Sequence, residues 1–256
     1  MDLQFLDRPS VTEEAIGHVL LRAQQNGLSN LTCAIDELME FHGEAEANSV
    51  VLPAIVKWYS EPSRLSQLLD LVLNENLNET LTKSFIHPSG FDKLVLLSGK
   101  NFALRVHNFH PVEVQRPSEN VHNHRWEFAS SIVHGHFISD IFVPNEGGSE
   151  TRYHYTYSKS GMSNQGLSGL NKVNSHTLSK GTTYYCPLQV YHSITEIAPT
   201  GAITVMATGF ANGDTTEVYS KDTLDTGAES ASCGLGMFDE NTLKVKFNSI
   251  KELVSA

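Results

Sequence analysis

Two histidines stand one residue apart in this chain, at His122 and His124. In an extended strand, side chains alternate between faces, so these two imidazoles point the same way. Together they can hold one metal ion, but they leave its shell incomplete, and other ligands must come from elsewhere. The chain has 12 histidines, and His107, His110, His122, His124, His134 and His136 crowd into one region. A second informative run extends from Gly181 through Pro187 to His192. A glycine, a proline and a histidine at these intervals suit a strand pair closed by a turn, which delivers a third imidazole.

Elements of two kinds flank these residues. From Val11 to about Ile86 the apolar residues recur at helical spacing, as in Ile16, Val19, Leu20 and Ala23, or Leu65, Leu68, Leu69, Val72 and Leu73. Asn30 is placed to cap a second helix, and Pro53 lies near the start of a third. These stripes are packing surface and carry no chemical motif. The turn His87 to Gly90 is the natural boundary.

After that boundary the pattern becomes strand-like. Candidates run over 93–97, 102–109, 121–133, 138–143, 152–157, 172–178, 182–186, 191–196 and 202–208. The Gly- and Ser-rich run from Ser158 to Gly169 reads as a loop, Thr215 to Tyr219 as an edge strand, and Leu243 to Phe247 as a short terminal strand. Many short strands without intervening helices argue for an antiparallel sandwich or barrel. The expected fold is α+β, with a helical region over 1–88, a β-barrel over 89–220 and a C-terminal extension over 221–256.

The totals exclude several functions. A net charge of −11 argues against nucleic acid and anionic membrane surfaces, both of which reward Lys and Arg clusters. No stretch approaches the ~18 apolar residues of a membrane span, and the first residues lack the pattern of a signal peptide. Cys33, Cys186 and Cys233 are scattered and odd in number, which suits a reducing cytoplasm better than a disulfide framework.

The two histidine-bearing runs together resemble the two-part signature of the cupin superfamily. His122, His124 and Gly135 stand where its first motif has His-x-His and a closing glycine, while Arg116 replaces the opening glycine. Gly181, Pro187 and His192 match the second motif, with Gln189 in place of a glycine and Glu196 in place of an asparagine. The resemblance spans roughly residues 90 to 210 and implies a cupin-like jelly roll holding a metal at His122, His124 and His192. The family's acidic ligand position falls on Phe128, one residue after Glu127. Strict alternation sends Glu127 to the face opposite the histidines, whereas a β-bulge after His124 would return it. The site therefore has Glu127 as a fourth ligand, or three histidines alone, which resembles the thiol dioxygenase branch.

The resemblance favours Fe(II), and imidazole donors also suit Zn, Ni and Mn. Arg105 and His107 share a strand face, and an inward arginine would bind a carboxylate bidentately, as in thiol dioxygenases. Trp126 and Tyr155 are further candidates for the substrate cavity, and Tyr185 is the preferred hydroxyl donor to a bound ligand. Three functions compete on this scaffold. One is an iron-dependent oxygenase acting with dioxygen on a small carboxylate-bearing metabolite. Another is a metal-dependent isomerase, lyase or decarboxylase. The third is a non-catalytic ligand-binding or sensor protein. The resemblance also leaves a homodimer open.

Overall fold

The structure is a computed structural model that describes residues 4–5, 11–111, 119–158, 160–224 and 236–256. Arg116 and Cys233 lie outside the described residues.

Helices come first, followed by an antiparallel sheet. The helices are α1 (Val11–Gln25), α2 (Leu28–Glu46), α3 (Leu52–Trp58), α4 (Pro62–Glu75) and α5 (Leu77–Lys83), and the chain closes on α6 (Glu240–Ser255). A π-helical turn, Ala47–Val51, joins α2 to α3 and leads Pro53 into the first turn of α3, where its missing N–H costs no hydrogen bond. Asn30 is not a cap. Helix α2 begins at Leu28, so Asn30 lies inside it and donates to the Asn26 carbonyl at 2.6 Å.

The strands are β1 (Gln4–Phe5), β2 (Phe85–Ile86), β3 (Phe91–Ser98), β4 (Ala103–Phe109), β5 (Val121–His122), β6 (Trp126–Pro144), β7 (Glu150–Ser158), β8 (Gly161–Ser179), β9 (Thr183–Cys186), β10 (Tyr191–Ala211), β11 (Thr216–Ser220) and β12 (Gly236–Met237). Their order is β1-β9-β6-β8-β7-β11-β5-β10-β4-β3-β2-β12, and β6 also pairs with β10. That extra pairing closes the sheet on itself through β8, β7, β11 and β5, which removes edges from the middle of the sheet.

The long strands β6 and β10 organise the closure. Each is continuous where the sequence suggests a turn, at Gly135 and at Gly201. Both glycines have positive φ, 68° and 85°, and Gly135 pairs with Ala202. A Cβ on Gly135 would lie 2.0 Å from the Gly201 carbonyl oxygen, so only glycine lets the two backbones cross here. Register irregularities between the two strands, at Ile194/Glu196, Ile197/Ala202, Ile203/Thr204 and Thr208/Ala211, bend the pair further.

Alternation then sorts the side chains into two layers. One face of β3, β4, β6 and β10 (Leu94, Leu96, Leu104, Val106, Ala129, Val133, Ile203, Val205 and Ala207) packs against the helices in a single core. The opposite face contributes Phe91, Phe109, Phe128, Ile132 and Met206, with Phe137, Ile141 and Tyr184, to an interior core.

Three segments differ from the sequence reading. The run 161–169 is strand, because its backbone pairs with the tyrosine-rich β7 whatever its own side chains are. Strand β11 is not an edge, since it lies between β7 and β5. The expected strand at Leu243–Phe247 is part of α6. Its buried residues Leu243, Phe247, Ile250 and Val254 recur at helical spacing, and Asp239 caps it by accepting the Thr242 N–H at 2.8 Å.

Candidate metal centre

His122 ends β5, His124 lies in the bend before β6, and His192 is the second residue of β10. His122 and His192 are direct cross-strand partners, so their side chains emerge on one face. The bend between β5 and β6 is held by Asn123, whose N–H donates to the Glu217 carbonyl at 3.1 Å and whose side-chain oxygen accepts the Glu217 N–H at 2.7 Å. This double contact turns His124 back toward the other two.

One ring nitrogen from each histidine lies within 4.8 Å of the others. The Nε2 atoms of His124 and His192 stand 3.1 Å apart. Two nitrogens bound at right angles to one ion at about 2.1 Å would be about 3.0 Å apart, so this spacing fits shared coordination. His122 Nδ1 meets the Asn120 carbonyl at 2.9 Å, which leaves its Nε2 for a metal. Burial, then the neighbouring His122, pushes His192 down to about 3. Burial and the adjacent His122 and His192 hold His124 well below the ordinary range. Both are therefore neutral donors near pH 7, the form a metal requires. The donor set fits a mononuclear ion with open positions.

The other anticipated residues divide by face. Trp126 stacks near His124, with ring centres 6.0 Å apart, and Phe128 meets both His124 and His192. Glu127 points the other way, where its carboxylate accepts from Asn48 Nδ2 at 2.9 Å on the helical side. It is not among the clustered ligand atoms. The register irregularity opposite Trp126–Phe128 has its extra residue in β10, so it does not turn the carboxylate toward the histidines. Tyr185 follows Glu127 to that side and hydrogen-bonds it, while Tyr184 joins the interior core against Phe128 at 6.0 Å. Of the two tyrosines, Tyr184 is the one on the histidine face. Tyr155 shares the face of His122 through the pairing of each with Val218, but its hydroxyl is taken by the Leu224 N–H at 2.9 Å.

Arg105 lies on the interior face of β4, with its guanidinium carbon 5.5 Å over the Trp126 ring. It donates to Thr208 Oγ1 at 3.2 Å, and its buried Nε has no partner among the described residues. Burial lowers it to about 10, so it stays cationic at neutral pH. His107 is next on the same face, and its buried Nε2 is also unpartnered. Burial, then Arg105 and Lys93, keeps His107 well below its ordinary value. His134 meets the Leu253 carbonyl at 3.0 Å through Nδ1, beneath α6.

Three residues here were not anticipated. Lys93 pairs with His107 across β3 and β4, and burial, then Arg105 and Arg125, lowers it to about 7. His87 stacks on Phe91 at 4.5 Å and is pushed down to about 3 by burial, then by Lys93 and His122. Glu119 accepts the Ile194 N–H at 2.6 Å, two residues beyond His192, and burial raises its carboxyl against the pull of His122.

No protein-family model matches the sequence, and no curated protein is similar to it. Solved structures similar to it include an RmlC-like cupin from Shewanella frigidimarina, at 17% identity, 50% of this chain, 85% of that chain and a TM-score of 0.30. A protein from Klebsiella pneumoniae with a double-stranded β-helix domain overlaps 57% of this chain and 96% of its own, at 13% identity and a TM-score of 0.32. HEPD from Streptomyces albus, with 2-hydroxyethylphosphonate and Fe(II) bound, overlaps 51% of this chain and 25% of its own, at 9% identity and a TM-score of 0.32.

Proposed function

We propose that this chain is a mononuclear, metal-dependent oxygenase of cupin type. His122, His124 and His192 hold iron(II), and the enzyme acts with dioxygen on a small anionic metabolite. Carboxylate-bearing amino acids and thiol acids are the first class to test. The observation that carries this reading is the convergence of three imidazole nitrogens within 4.8 Å, from two distant stretches of sequence, on an interior sheet face.

Iron(II) with open positions supplies the redox chemistry that side chains lack. The protein's own part is to bind, orient and shield. Arg105 is placed to take a substrate anion beside Trp126, and Trp126 and Phe128 keep bulk water from the histidines. Tyr184 borders the same interior, and burial raises its phenol, so it remains a neutral hydrogen-bond donor.

The all-imidazole donor set favours one alternative. Three histidines also suit zinc, and a zinc, nickel or manganese centre would make the protein an isomerase, lyase or decarboxylase that consumes no oxygen. Metal analysis of protein purified without added metal, followed by oxygen-electrode assays over amino and thiol acids, separates the two. Oxygen uptake that requires Fe(II) supports the first reading. Turnover without oxygen uptake supports the second. No helix of the described residues is long and apolar enough to cross a membrane, and we place the activity in the cytoplasm.

A further inference from the structure

We infer that the cleft beside the histidine trio is a subsite for a compact, doubly charged oxyanion, a phosphoryl or phosphonyl head group, held by Lys93 and Arg105. This deepens the function proposed above and rests on it only in placing the reacting end of the ligand at the histidines.

The cleft has a volume of about 460 Å³, and its lining includes Thr82, Lys83, Phe85, Lys93 and Arg105. It adjoins the trio, because Arg105 reaches over Trp126, which in turn stands beside His124. In the register of β3 and β4, Lys93 faces His107 and Val95 faces Arg105. Lys93 and Arg105 are therefore diagonal neighbours on one sheet face, with Cβ atoms on the order of 7–8 Å apart. Two long side chains at that separation can close on the same small group.

The charge balance identifies what that group is. No carboxylate of the described residues pairs with Lys93 or Arg105. Asp92, the acid next to Lys93, points to the opposite face and is taken by Lys246 at 2.7 Å and His110 at 2.9 Å. Lys93 Nζ lies over the Phe85 ring, 4.9 Å away. The unpartnered Nε of Arg105 and Nε2 of His107 add buried polar atoms that lack a partner on this face. Among the described residues neither basic group has a counter-ion, and holding two buried positive charges together without one is costly, which is why burial already lowers Lys93 to about 7. A monocarboxylate would leave one of the two charges uncompensated, whereas a dianion cancels both and offers enough oxygens for both donors.

Calorimetric titration of the full chain near neutral pH tests this, with inorganic phosphate, methylphosphonate, malonate and acetate as probes. Phosphate and methylphosphonate should bind at least about tenfold more tightly than acetate, and Lys93→Met and Arg105→Met should each weaken phosphate about tenfold or more. Lys93→Arg should retain binding, which keeps the test decisive if Arg105→Met fails to fold. Acetate binding as tightly as phosphate, phosphate binding unchanged in Lys93→Met, or no phosphate binding at all would overturn the proposal. Malonate matching phosphate would overturn the assignment to a phosphoryl group. His122→Ala should leave phosphate affinity unchanged. Phosphate binding in a protein whose histidines take up no metal would defeat the metalloenzyme reading and leave the subsite standing.

Discussion

His122 and His192 are direct cross-strand partners, with ring centres 4.9 Å apart. Backbone pairing between β5 and β10 thus fixes two donor nitrogens before any metal arrives. His124 depends instead on the bend at Asn123, and its position is the part of the site most open to disturbance.

Asn123→Ala should therefore loosen the site without dismantling it. Both contacts between residue 123 and Glu217 restrain the bend, and the substitution removes the side-chain one. Supporting residues of this kind typically change metal affinity about 10- to 100-fold. Competition of iron(II) or zinc(II) against a chromophoric chelator would measure it, and an affinity within about twofold of the parent would rule out the positioning role.

Glu127→Gln should leave metal affinity nearly unchanged. The carboxylate faces the helices and accepts from Asn48, so the change lowers folding stability by about 1 kcal/mol instead. Chelator competition and urea unfolding on the same variant check both halves. A large loss of metal affinity would show that the carboxylate reaches the ion.

Gly135→Ala should be severely destabilising, by roughly 3 kcal/mol or more. It combines a positive φ with a Cβ 2.0 Å from the Gly201 carbonyl oxygen. Chemical unfolding would report a lowered midpoint, and a neutral result would mean that β6 and β10 do not cross as described.

Acid should weaken the metal-free protein earlier than its carboxylates would. His87 is pushed down to about 3 from its ordinary 6.5, mainly by burial. Between these values the unfolded chain binds a proton that the folded protein excludes, so stability rises with pH across this window. The contribution is complete above about pH 6.5 and is lost as pH falls toward 3. Lys93 and His122 bear on His87 from β3 and β5, and both disfavour its protonation. Unfolding curves at several pH values should show His87→Phe flattening this dependence.

The sequence carried the interior pattern of this protein but not its curvature. Alternation was enough to pair Arg105 with His107 and to set Glu127 apart unless a bulge intervened, whereas His122 and His124 meet through the bend at Asn123 rather than along one continuous strand. Pro187 marked the turn between β9 and β10, whereas Gly135 lies inside the continuous β6. What alternation cannot supply is which strands meet. Lys93, His87 and Glu119 approach the site only through pairings between distant segments, and no local pattern announces them. Alternation separates Tyr184 from Tyr185 but does not assign their faces, so it does not show that Tyr184 is the one turned to the interior. The segment 161–169 was misleading for a related reason, since its pairing is a property of the backbone while its composition suggests a loop. The final helix was legible in principle, because Leu243, Phe247, Ile250 and Val254 have helical spacing.

The central claim is tested most directly by a crystal structure of the protein loaded anaerobically with iron(II). One ion should lie about 2.0–2.3 Å from a ring nitrogen of each of His122, His124 and His192, with Glu127 still turned toward Asn48. Iron bound elsewhere, or a saturated solution that leaves the three imidazoles hydrogen-bonded only to one another and to the backbone, would contradict the account.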